Sequence, residues 1–113
     1  MSESKRKILP VDTQAALEKM ILITQESTGA FEAETNALAL KNDVGFYEAS
    51  EEKKVVTLVY QKAAKEFLDR KEEFIILKGP IMEELINMQE KLGRSAKINM
   101  MLLDPIKRHP KKS

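Results

Sequence analysis

The acidic side chains are the first candidates for chemistry. They come as adjacent pairs, Glu51-Glu52, Glu72-Glu73 and Glu83-Glu84. Two carboxylates doing acid–base work must face one substrate atom, and neighbours on a helix point about 100° apart. These pairs read as solvated helix faces. Asp43 and Glu48 would need further ligands to hold a metal ion, and the surrounding sequence offers none. His109 is the single histidine, in a Lys/Pro-rich stretch, and there is no cysteine. A thiolate nucleophile, a disulfide framework, a histidine triad and a multi-histidine metal site are thereby excluded. No glycine-rich phosphate loop, GxSxG elbow or HExxH helix is present. The expectation is a non-enzyme with no catalytic, cofactor-binding or metal-ligating residues.

Composition agrees with that expectation. In 113 residues, 42% are hydrophobic, 33% charged and 5% aromatic, which suits amphipathic helices better than a thick β-rich core. The length predicts one domain. Basic residues gather at both ends. Lys5, Arg6 and Lys7 stand against Glu3 in residues 1–11, and Lys107, Arg108, Lys111 and Lys112 against Asp104 in residues 104–113. The span 12–103 holds 12 basic and 16 acidic residues, an acidic body between two basic tails. Both tails are expected to be disordered and solubilising. With no aromatic platform and an acidic body, nucleic acid is not the expected partner. No window resembles a secretory signal or a membrane span, so membrane insertion is not expected and the cytoplasm is the expected location.

The elements follow from apolar spacing. Asp12 or Thr13 caps a first helix whose stripe runs Leu17, Met20, Ile21, Thr24, Thr28, Phe31, Thr35 and Leu38. Threonine stands where a strong core would place Leu or Ile, and Gly29 weakens the run. Asn42-Asp43-Val44-Gly45 is a weak point, and Ser50-Glu51-Glu52 reads as a helix start. A break is expected between Asn42 and Glu51. A continuous helix would instead make a rod of about 65 residues, near 100 Å. Val56, Val59, Ala63, Phe67, Arg70, Phe74 and Leu77 form the second seam, with Arg70 as its polar slot. Gly79-Pro80 punctuates the chain. Ile81, Leu85, Met88, Leu92, Ser95, Asn99 and Leu102 form the third seam, and Asp104-Pro105 is the expected stop. The predicted fold is all-α, an elongated antiparallel helical hairpin or coiled-coil-like bundle. Its helices lie at about 13–49, 51–78 and 80–103, within a single domain spanning 12–103.

The segment Ile98-Asn99-Met100-Met101-Leu102-Leu103 is apolar around most of its circumference. One face can pack on the hairpin; the other either packs into the core or against a second copy, or is covered by a partner. Methionine suits adaptable binding surfaces, and Met82, Met88, Met100 and Met101 all fall in this last helix. Partner binding is assigned to Met88, Leu92, Ile98, Asn99, Met101, Leu102 and Leu103, on a third helix moving against a scaffold of residues 12–78.

Together these features resemble the FlgN family of flagellar export chaperones. That family places a Glu, a Leu, a junction Asp and a following Lys where Glu34, Leu38, Asp43 and Lys53 or Lys54 stand here. Its C-terminal Asn with paired leucines matches Asn99, Leu102 and Leu103. The resemblance covers roughly residues 13–103. It implies a cytoplasmic type III export chaperone. Such a chaperone binds hook-associated junction proteins of the FlgK and FlgL kind through its C-terminal amphipathic helix and prevents their premature assembly. It also implies docking to the flagellar export gate through a C-terminal tyrosine. Tyr47 and Tyr60 are the only tyrosines, so that residue has no counterpart here. The alternative reading is a self-assembling coiled coil or adaptor, a homo-oligomer closed through residues 98–103.

Overall fold

The computed structural model describes residues 7–77 and 79–108, all of them helical or in short connections. The helices are α1 (Thr13–Ala39), α2 (Asp43–Asp69), α3 (Lys71–Ile76) and α4 (Pro80–Arg108). The fold is all-α and elongated, 53 × 37 × 23 Å. Among the described residues, no helix is long and apolar enough to cross a membrane.

The central element is α1, which packs on both α2 and α4. Two heptad-spaced rows on α1 explain this. Ala16, Met20, Ile23, Ser27, Ala30, Glu34 and Ala37 form one row, all buried. Leu17, Ile21, Thr24, Thr28, Phe31, Thr35 and Leu38 form the second, buried or half-buried. Adjacent rows with steps of four and three cover roughly half a helix, enough for two neighbours. Two of the three threonines of the second row bond back to the preceding turn. Thr24 Oγ1 donates to the Met20 carbonyl at 2.7 Å, and Thr28 Oγ1 to the Thr24 carbonyl at 2.9 Å. Their methyl groups remain free to pack.

The break between α1 and α2 comes earlier than a start at Ser50 implies. Ser50 lies inside α2. The chain turns at Leu40–Asn42 instead, because two capping devices overlap there. Lys41 adopts a left-handed φ of 57°, its amide donating to Leu38, while the Asn42 amide reaches back to Ala37. This pattern closes a helix with a left-handed residue just past its end. Asn42 then caps α2, its side chain accepting from the Gly45 amide at 3.0 Å. A Cβ on Gly45 would lie 2.5 Å from Asn42 Nδ2, so a side chain there would push the capping amide out of place.

Two more boundaries differ from the sequence reading. The second helix is divided at Arg70, whose φ of −109° and ψ of 18° leave helical geometry before α3 resumes. The last helix runs past Asp104-Pro105 to Arg108. Proline there forgoes one hydrogen bond to the preceding turn without ending the backbone path.

The N-terminal segment also differs from the expected disordered tail. Ile8 and Leu9 donate backbone amides to the two Glu66 carboxylate oxygens, each at 2.8 Å. Arg70 donates to the Pro10 and Val11 carbonyls at 2.7 and 2.8 Å. Leu9 is 4% exposed and joins the core with Phe74 and Leu17. Extended backbone has unpaired amides and carbonyls. Glu66 and Arg70, one helical turn apart, supply both kinds of partner. Residues 1–6 and 109–113 of the two expected tails lie outside the described residues.

A candidate partner-binding surface and the polar hub behind it

The surface candidate is built on α4, whose inward face comes first. Leu85 and Leu92 are buried against the bundle, and Asn99 is 1% exposed. Asn99 Nδ2 donates to Glu34 Oε1 at 2.9 Å, to Thr35 Oγ1 at 3.1 Å and to the Phe31 carbonyl at 3.3 Å. Its Oδ1 accepts from Lys53 Nζ at 3.2 Å. Lys53 Nζ also pairs with Glu34 Oε1 at 2.7 Å and sits 5.2 Å from the Phe31 ring centroid. Ser50 donates to the other Glu34 oxygen. One carboxylate on α1 therefore ties α2 and α4 together.

The electrostatics of the hub follow from its contacts. Burial alone pushes the Glu34 carboxyl upward. Hydrogen bonds from Lys53, Ser50 and Asn99, with the Lys53 charge, outweigh it and hold the group below its ordinary range. A buried charge without such partners would be strongly destabilising.

A second tie lies along the same helices. Tyr60 donates its hydroxyl to Gln89 Oε1 at 2.7 Å, and Gln89 Nε2 donates to Thr24 Oγ1 at 3.2 Å. Burial raises the Tyr60 phenol above its ordinary pKa, partly offset by the Gln89 bond. Gln89–Thr24 and Asn99–Glu34 are both 65 positions apart, so α4 runs parallel to α1 in a fixed register. In this conformation the third helix of the sequence reading, α4, lies docked along α1. The second row of α1 needs α4 as its cover.

The assigned partner residues divide between the two faces of α4. Leu92 and Asn99 face inward, and Met88 and Leu103 are half-buried. Ile98, Met101 and Leu102 are 53, 63 and 42% exposed, and their spacing puts them on one outer face. Lys91 and Arg94 precede them on that face and are also exposed. The assembled surface is an apolar cluster with a basic approach, on a helix held in place by the hub. Among the described residues, no group of three or more potential metal ligands comes together.

The clamp of Glu66 and Arg70 was not visible as a site in the sequence, where Arg70 looked like a polar slot in a seam. Arg70 also pairs with Glu73 at 2.9 Å and lies 5.1 Å from the Phe74 ring, which stacks on Phe67. The hydrogen bond from Arg70 draws the Glu73 carboxyl below its ordinary range. The nearest signal was the acid–base pair at i and i+4 beside an apolar lead-in.

No family model, curated protein or solved structure matches this chain.

Proposed function

We propose that this chain is a FlgN-like export chaperone. Its outer α4 face takes an amphipathic helix from a hook–filament junction protein and keeps that segment from assembling early. The observation that carries the reading is the exposed cluster of Ile98, Met101 and Leu102 at the end of a well-anchored helix. Three adjacent large apolar side chains left open to water favour a partner that covers them. Helix-in-groove recognition reads such i, i+3, i+4 anchors. Lys91 and Arg94 favour a cargo helix with acidic residues beside its apolar stripe.

Further support comes from the residues that carry the family resemblance. Glu34, Lys53 and Asn99 meet in one hub. Lys54, the other candidate for that Lys position, pairs with Glu51 on the surface. In this reading, cytoplasmic location and delivery to the export gate belong to the chaperone's task.

Co-purification with junction proteins tests the proposal. Wild type is compared with an Ile98→Ser/Met101→Ser/Leu102→Ser variant whose helicity is verified by circular dichroism. Binding should fall at least about tenfold, since each lost apolar anchor contributes on the order of 1 kcal/mol or more. Equal recovery from a folded variant would remove the assignment.

A further inference from the structure

A second stripe on α4 points to a different partner. Met82, Ile86, Gly93 and Met100 share one edge of the helix, well around from Ile98 and Leu102. Ile86 is 49% exposed and Met100 66%. Beside the first half of this stripe lies an apolar groove between α2 and α4, lined by Ala64, Leu68, Met82 and Ile86 among others. Leu68, on its α2 side, is 64% exposed.

Gly93 is the least explained residue of α4. Glycine inside a helix costs about 1 kcal/mol relative to alanine. Here a Cβ would meet nothing within 4 Å, so packing inside the chain does not ask for glycine. A bare backbone on an open helix edge does permit close approach by a second backbone.

We propose that two copies of this chain pair through an antiparallel crossing of α4 at Gly93. Ile86 and Met100 lie seven residues to either side, about 10 Å along the helix in each direction. A two-fold axis at Gly93 therefore sets Met100 of one copy over Ile86 of the other, beside the groove rimmed by Leu68 and Met82. The contact is isologous and closes as a dimer.

Charge fixes the direction. Glu83, Glu84 and Glu90 lie before Gly93, together with Lys91, and Arg94 and Lys97 lie after it. An antiparallel crossing brings Glu90 against Lys97 of the second copy, twice, whereas a parallel one sets like charge on like. Among the described residues, neither Glu90 nor Lys97 has an ion-pair partner within the chain.

The absence of cysteine makes a direct test available. Gly93→Cys places one thiol on the proposed axis, and Asn87→Cys places one on the same helix away from it. Oxidised glutathione should link Gly93→Cys into a dimer and leave Asn87→Cys monomeric. Sedimentation equilibrium of the cysteine-free chain should give twice the chain mass. Glu90→Lys should weaken pairing about tenfold, because two symmetric contacts turn from attractive to repulsive. Glu90→Lys/Lys97→Glu should restore it. A monomer at every concentration, equal crosslinking at both positions, or a Glu90→Lys chain that pairs like wild type would each overturn the proposal.

Discussion

Asn99 and Glu34 meet 65 positions apart, Nδ2 to Oε1 at 2.9 Å, and both side chains are closed off from water. The bond matters because the same carboxylate also receives Lys53 and Ser50. The contact between α1 and α4 and the contact between α1 and α2 are thus fixed by one group. The register of the bundle, and with it the exposure of Ile98, Met101 and Leu102, depends on that group.

Removing one partner from the hub should be costly and asymmetric. Lys53→Met leaves a buried carboxylate without its cation and should cost about 3 kcal/mol. Glu34→Gln should cost less, because the Lys53 side chain is 20% exposed and can turn to water. Urea unfolding of the two variants measures the difference. Equal costs would contradict the burial asymmetry.

The hub also predicts a pH dependence. The Glu34 pKa is lower folded than unfolded, so its contribution is complete above the unfolded value, about 4.3 for glutamate. That contribution is lost as pH falls through the folded pKa. Glu34→Gln should flatten the acid limb of a stability–pH curve. The raised Tyr60 acts oppositely, with stability lost as pH climbs above about 10, and Tyr60→Phe should flatten the alkaline limb.

Lys41 holds a left-handed conformation at the end of α1, which costs an L-residue about 1–2 kcal/mol that glycine avoids. Lys41→Gly should therefore raise the melting temperature. An unchanged or lower value would show that the lysine side chain contributes something there that its exposed position does not suggest.

The N-terminal segment behaves as part of the core. Leu9→Ala should cost about 2–3 kcal/mol, as for a buried leucine. Arg70→Ala releases two backbone carbonyls and a ring contact and should also destabilise. Thermal unfolding that matches wild type in both variants would restore the segment to a free tail.

Much of the bundle was legible in residue spacing. The rows through Leu17 and Leu85 are periodic, and Gly79-Pro80 marked its turn, where Gly79 adopts φ 127°. What spacing hid were the places where side chains bond backbone or each other across long separations. Ser50 looked like a cap because its type suits caps. Its partner, Glu34, lies on another helix, out of reach of any local pattern. Leu9 lies just past three basic residues and precedes a proline, so its neighbourhood looked like a tail. Its own anchor, Glu66, is 57 positions away, and Arg70, which holds the next two carbonyls, is 60 and 59 away from them. In the candidate surface, the third seam marked the inward side of α4 through Leu85, Leu92 and Asn99, but it also took in Leu102, which is 42% exposed. Apolar residues surround the helix at 98–103, so spacing there did not separate the inner face from the outer one. The inward turn of Leu92 and Asn99 was set by the second row of α1.

The chaperone reading is tested most directly at the methyl group of Met101. In a sample labelled at methionine methyls, titration with a junction protein should shift or broaden the Met101 resonance. The resonance of Met20, 1% exposed in the core, should stay in place. A Met101 signal unchanged at saturating junction protein would contradict the account.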